Sequence, residues 1–259
     1  METIVAVKNL TQKIGQKTVL DGLTMEVCTG ECLGIFGMKG SGKTTLLHIL
    51  AGIDRFTSGK VEVAGIDVRK NEGFKKYLGL VTQERSLFHD LSAAENLDFI
   101  VTLKNAEREN ITRLIEALEL GEVLNQPAGS LEAGPYQRLA LACALLNNPR
   151  LLLADELIGA IDLDSRRIIL RELKNFLAAG GTCIWAFSNA EFLPHAGRVG
   201  WLEEGKLTFY QPAEALAQWN ARLQSLAGPG GDGDLKESQA CCLTLHRDDL
   251  APQGGDGDA

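Results

Sequence analysis

Apolar strands alternating with amphipathic helices predict an α/β domain with a mostly parallel core sheet. Two segments anchor that expectation. Cys32–Phe36 is a short apolar run that passes at once into Gly37-Met38-Lys39-Gly40-Ser41-Gly42-Lys43-Thr44-Thr45, and a helical pattern then continues to Ala51 and stops at Gly52. Leu151–Ala154 is a second apolar run, and it ends in two carboxylates, Asp155 and Glu156. Between about residues 84 and 146 the pattern is mostly helical, which predicts a helical subdomain inserted between these two halves.

The remaining elements follow in chain order. Strands are expected at Ile4–Val7, Thr18–Leu20 and Leu23–Val27, with a strand and turn over Lys60–Val68. Ser92-Ala93-Ala94-Glu95 has the form of a capping box opening a helix towards Leu103. Ile111, Leu114, Ile115 and Leu118 share one face of a second helix, which Gly121 can end. Helices are also expected from Tyr136 to Asn147 and from Asp164 to Ala179, the latter stopped by Gly180-Gly181. Thr182–Phe187 reads as a buried strand, and Val199–Leu202 with Lys206–Tyr210 as a hairpin. Pro212 opens a last helix with Leu216, Trp219, Leu223 and Leu226 on one side. The folded domain is expected to span 1–226. Residues 227–259 turn rich in Gly, Asp and Pro and are expected to be a mostly disordered tail with an apolar island around Cys241–Leu245.

Composition narrows the function. The net charge of −8, without a basic stripe interleaved with aromatics, argues against nucleic-acid binding. No apolar run approaches the ~20 residues that cross a bilayer, and no signal peptide is visible. Cys28, Cys32, Cys143, Cys183, Cys241 and Cys242 match no zinc spacing and read as reduced thiols. His48, His89, His195 and His246 are scattered, and none is assigned to a metal or to catalysis.

The glycine-rich string is Gly-x-x-x-x-Gly-Lys-Thr, a P-loop. Its glycines let the backbone turn several N–H groups of Lys39, Gly40, Ser41, Gly42, Lys43, Thr44 and Thr45 towards phosphate oxygens. The Lys43 ammonium is expected near the β- and γ-phosphates, and the Thr44 hydroxyl is expected to ligate Mg²⁺. A helix beginning at the loop places those phosphates at a helix N-terminus. In a P-loop protein the carboxylate at the end of a neighbouring strand, here Asp155, holds Mg²⁺ directly or through water. Glu156 can polarise the water that attacks the γ-phosphate.

With these elements in order, residues 3 to about 225 resemble the nucleotide-binding domain of ABC transporters. Leu78-Gly79-Leu80-Val81-Thr82-Gln83 is similar to the family's Q-loop, Gln137–Ala142 to the helix after its signature, and Gly159-Ala160-Ile161-Asp162 to its D-loop. The resemblance implies a P-loop NTPase fold with an N-terminal antiparallel β subdomain, and ATP with Mg²⁺ as ligands. It implies that Gln83 touches Mg²⁺ or the attacking water and senses a transmembrane transporter subunit. It implies that Asp162 lies at a contact between two ATP-binding subunits that meet head to tail. The chain is then peripheral on the cytoplasmic, inner face of the cell membrane.

The departures from the family pattern are specific. Leu131-Glu132-Ala133-Gly134-Pro135 stands where the family has Leu-Ser-Gly-Gly-Gln. Two unit charges ~4 Å apart repel by at most about 4 kcal/mol at an effective dielectric near 20, so Glu132 opposes a partner's γ-phosphate. Ser188 replaces the switch histidine, Ile14 the aromatic that stacks on adenine, and Leu157-Ile158 the Pro-Thr after Glu156. These changes point to a degenerate ATPase with impaired hydrolysis, in a homodimer or, more in keeping with composite sites, a heterodimer with a more intact subunit. The alternative is a non-hydrolysing regulatory or scaffolding module that uses ATP binding as a switch.

Overall fold

A computed structural model describes residues 2–227. Contacts divide the chain after Leu216; the second unit begins at Ala217, within the last helix. The predicted tail, with Cys241, Cys242 and His246, lies outside the described residues.

An antiparallel sheet opens the fold. Strands β1 (Thr3–Ile14) and β2 (Lys17–Cys28) form a long ribbon, joined by β4 (Ser58–Val63) and β5 (Ile66–Asp67) in the order β2-β1-β4-β5. Each ribbon strand runs through what the apolar pattern suggested were short separate strands. The pattern misled because in the outer half only Leu10, Leu20 and Leu23 are buried, and most of the rest is polar or exposed. Register shifts on either side of Leu10, with Asn9 at φ 49° and Gly22 at φ 60°, twist the ribbon there.

The second sheet has the order β10-β9-β3-β8-β7-β6. Strands β3 (Cys32–Phe36), β6 (Leu78–Val81), β7 (Leu151–Asp155) and β8 (Thr182–Phe187) run parallel, as does β9 (Arg198–Glu203) beside β3, while β10 (Lys206–Tyr210) returns antiparallel to β9. Every residue of β3, β7 and β8 is buried. This is why these strands read as unbroken apolar runs instead of alternating ones. Leu33, Ile35, Leu151, Leu153, Ile184 and Ala186 face one core, shared with Leu46, Leu47, Ile49 and Leu50 of helix α1 (Lys43–Leu50) and with Val5, Val7, Leu10 and Val61 of the first sheet. Trp185 and Phe187 alternate to the other face, where the Trp185 ring stacks on Phe192 at 5.6 Å. Gly34 must be glycine there: a Cβ would come within 2.9 Å of both Phe187 and Ala196.

The helical segment comprises α2 (Ala93–Lys104), α3 (Glu109–Ala117) and α4 (Ala133–Leu145). Ser92 and Glu95 form the expected capping box: Ser92 Oγ accepts from Glu95 N at 3.2 Å, and Glu95 Oε2 accepts from Ser92 N at 2.8 Å. Ser92→Ala should cost about 1 kcal/mol, read as a lower urea midpoint at unchanged m-value. Helix α3 ends at Ala117, short of Gly121, because Glu119 takes the left-handed conformation (φ 51°). Helix α4 begins three residues before Tyr136. Pro135 is tolerated in that first turn, where backbone N–H groups have no intrahelical acceptor. Helices α5 (Leu163–Ala178) and α6 (Pro212–Ala227) complete the described chain.

Candidate functional site

Parallel strands place the loops after β3, β8, β7 and β6 at one end of the sheet. A cavity of about 1010 Å³ opens among them. Lys39, Gly40, Gly42, Lys43, Thr44 and Thr45 form one wall, Asp155 and Glu156 another, with Gln83, Ser188 and Asn189 between. Ile14, Lys17 and Val19 reach it from the ribbon. Gly37 and Ser41 stand behind the wall. A Cβ on Gly37 would meet the Leu202 carbonyl at 2.5 Å, so the loop can start its turn there only without a side chain. Gly40 and Gly42 take φ 82° and 106°, which a side chain would strain.

Lys43 is 6% exposed, and its Nζ donates to the carbonyls of Gly37 (2.8 Å) and Met38 (3.1 Å). Burial pulls its pKa down, and the carboxylates of Glu156 and Asp155 oppose that shift. Thr44 Oγ1 donates to Asp155 Oδ2 at 2.6 Å, which joins α1 to the end of β7. Asp155 is 3% exposed and its second oxygen, Oδ1, has no partner in the structure; Ser41 Oγ is also buried and unpartnered. Burial raises the Asp155 pKa, the Thr44 hydrogen bond works against it, and Glu156 adds to it.

The donor set fits a magnesium–polyphosphate ligand. Mg²⁺ keeps most of its waters and takes one or two protein carboxylate or hydroxyl oxygens together with phosphate, and Thr44 and Asp155 offer such a pair. Among the described residues no group of three or more His, Cys, Asp or Glu side chains is placed to hold a metal by itself. A raised Asp155 carries a stability consequence. Its contribution is fully present below the unfolded carboxylate pKa and is lost as pH rises through the higher folded value. At neutral pH the ionised, buried group therefore opposes folding. Asp155→Asn should melt above the parent chain in calorimetry without nucleotide.

Glu156 follows Asp155 with φ 49°, a left-handed conformation away from strand geometry, and its N–H donates to Ala186 O at 2.9 Å. The turn is held from below by Leu157 and Ile158, both fully buried. Ser188 Oγ donates to Glu156 Oε1 in a short hydrogen bond. Gln83 lies on the exposed loop after β6 and borders the cavity. Asp162 caps α5, its Oδ1 accepting from Ser165 N at 2.7 Å, and that bond lowers its pKa. Glu132 is the exposed N-cap residue of α4 and makes no side-chain cap, while Ala133, Tyr136 and Gln137 border this chain's own cavity.

Lys17, Arg85 and Tyr136 also line the cavity and were not singled out in the sequence. Lys17 lies three positions past Ile14 across the ribbon turn, and Arg85 two past Gln83, so proximity in sequence was the available signal. No histidine borders the cavity among the described residues; His48 Nδ1 lies 3.4 Å from Asp54. Cys28, Cys32, Cys143 and Cys183 are free thiols.

Comparison with known proteins places this arrangement. A family model described as ABC transporter matches residues 20–159, from the ribbon through both walls of the cavity. The chain belongs to the ABC transporter family. It is 36% identical over 177 residues to the spermidine/putrescine import ATP-binding protein of Haemophilus ducreyi, covering 67% of this chain and 48% of that protein. It is 32% identical over 207 residues to an ABC transporter ATP-binding protein homolog of Mycoplasma pneumoniae, covering 77% and 73%. The chain thus spans about half the length of the first of these ABC relatives and most of the second. Among solved structures, a bacterial ABC transporter cassette determined as a dimer superposes with a TM-score of 0.74 at 27% identity, over 80% of this chain and 98% of that one. A post-hydrolysis state of that cassette, bound to ADP and Pi, superposes equally well at 26% identity. ABC ATPase domains bind ATP or ADP.

Proposed function

We propose that this chain is the ATP-binding subunit of a membrane transporter, coupling ATP binding and slow hydrolysis to transport. The observation that carries the reading is the Thr44–Asp155 hydrogen bond beside the buried Lys43 ammonium. It joins the loop suited to polyphosphate to the carboxylate suited to Mg²⁺. Lys43 would bind the β- and γ-phosphates. Gly37 shapes the loop, and the N–H groups of Lys39, Gly40, Ser41, Gly42, Thr44 and Thr45 would surround the phosphates. Thr44, Asp155 and Gln83 would hold Mg²⁺, whose charge offsets that of the phosphates. Glu156 would take the proton from the attacking water, with Gln83 helping to orient it. Calorimetry of the full chain with Mg-ATP tests the reading; a well-folded sample giving no heat would overturn it.

The folded ATP-binding domain is assigned to 1–226 and its helical subdomain to about 84–146. The partner on the membrane side is a transmembrane transporter subunit, which holds this chain at the inner face of the cell membrane. A docking patch is supported by Phe88, Phe99 and Leu103, which are 51%, 41% and 67% exposed, with the two rings edge-on at 4.7 Å. Phe88→Ser with Phe99→Ser should release the chain from the membrane fraction while the heat of Mg-ATP binding stays within about twofold of wild type. No helix among the described residues is long and apolar enough to cross a membrane. A second ATP-binding subunit completes the assembly. Glu132, Ala133 and Ser188 favour a heterodimer, because two copies of this chain would carry both weaknesses at both sites.

A non-hydrolysing module that switches on ATP binding is the second reading, and one contact favours it. The Ser188 hydroxyl donates to Glu156 Oε1 and so occupies an oxygen that would otherwise accept from the attacking water. Affinity and turnover measured separately in the membrane complex separate the two: tight binding without phosphate release supports the switch, and release above background removes it.

A further inference from the structure

The loop after β6 has little regular structure, yet it is bolted to one place. From residue 83 to residue 90 every residue except Leu87 is exposed. Arg85 Nη2 donates to Leu131 O at 2.7 Å and Nη1 to Gly129 O at 3.3 Å, and the guanidinium carbon sits 4.5 Å from the centre of the Tyr136 ring. Tyr136 Oη in turn accepts from Leu87 N at 3.0 Å. Farther along, Gly129 N donates to His89 O and Ala128 N to Leu91 O, both at 2.9 Å. Buried Asn96 fixes the same stretch by accepting from Phe88 N and donating to the carbonyls of Phe88, Leu91 and Ser92. Apart from the Asn96 bonds, which tie the loop to α2, these contacts run between the Gln83 loop with its continuation and the segment that delivers the chain into α4.

We infer that Arg85 is a positioning residue, its guanidinium clasping residues 129–136 to the loop that bears Gln83 so that both move as one plate. The inference rests on the nucleotide-site reading above and goes beyond it. A planar, always-charged fork suits this task. It satisfies two carbonyls of a turn and lies on an aromatic face at the same time, which a lysine ammonium cannot do. Thr82 Oγ1 donates to Glu84 O at 2.8 Å and lies 3.0 Å from Ser86 Oγ, which shapes the loop at the clasp's other end. A ligand that orders Gln83 therefore orders the N-terminus of α4, the surface offered to a second ATP-binding subunit. The route runs through Arg85 and Tyr136 and needs no displacement of the P-loop.

Hydrogen–deuterium exchange on the full chain, with and without saturating Mg-ATP, tests this. In the wild type, exchange at residues 129–136 should slow by about threefold or more on nucleotide addition. Arg85→Ala, compared at Mg-ATP saturation set by its own calorimetric titration, should lose that slowing. Arg85→Lys keeps the charge without the fork and should also lose it, whereas Tyr136→Phe keeps the ring under the guanidinium and should retain it. Slowing that survives in both Arg85 variants overturns the inference. So does exchange that is faster by the same factor with and without nucleotide, because that is what a purely structural contact would produce. No binding heat from the wild type overturns the nucleotide-site reading and this inference with it, whereas normal heat with unchanged slowing in Arg85→Ala overturns the clasp alone.

Discussion

Lys43→Glu is expected to abolish measurable Mg-ATP binding, and Lys43→Ala to weaken it by one to two orders of magnitude. The ammonium is 6% exposed and stands in the loop between two backbone carbonyls. A hydrogen bond to a charged partner contributes about 1.5–3 kcal/mol, or roughly tenfold to 150-fold in affinity. Charge reversal adds repulsion against the phosphates. Two costs that Lys43 now carries would disappear in the alanine variant: desolvation of the cation, and the order it imposes on the loop. Lys43→Met keeps the aliphatic stem and separates loss of charge from loss of packing. Thermal melting checks that each variant is folded, and titration calorimetry gives the affinity. Wild-type affinity in folded Lys43→Glu would remove the P-loop from the account.

Restoring the altered positions should raise turnover. Glu132→Ser combined with Ser188→His is expected to increase phosphate release in the membrane complex. One positioned polar group at a developing charge is worth about 10²–10³ in rate, and the double variant supplies two. Ser188→Ala is the informative control. It frees Glu156 Oε1 from its hydroxyl donor without providing an imidazole, so it should raise the rate far less than Ser188→His. A rate unchanged in all three variants would leave impaired hydrolysis without support and favour the switch reading. Turnover already at the level of an intact pair in the wild type would show that Ser188 and Glu132 impose no handicap.

The parts of the molecule buried on both sides were legible from sequence. β3, β7 and β8 are buried along their whole length, so they read as apolar runs, and the P-loop and Asp155 follow from where those runs stop. The α2 capping box was legible because its signal is local. The ribbon was not: apart from buried Leu10, its strand between Lys8 and Lys13 continues through polar residues, held by pairing with β2. The start of α4 was missed because Gly134 and Pro135 look like breakers, and only the geometry of a first turn makes them acceptable. The contact between Arg85 and Tyr136 carried no readable signal. They are 51 residues apart, and what joins them is the path of the chain around α2 and α3.

One property of the sheet order reaches beyond this chain. β8 lies between β3 and β7, so the residue after it stands between the strand that leads to the phosphate-gripping loop and the strand that leads to Asp155 and Glu156. On the proposed function, holding and cutting would be entrusted to separate pieces of backbone. On that reading, a change of side chain at position 188 should alter turnover and leave the hold on nucleotide intact, and a subunit that has stopped burning fuel would still serve as a clamp that closes and opens with its neighbour's cycle.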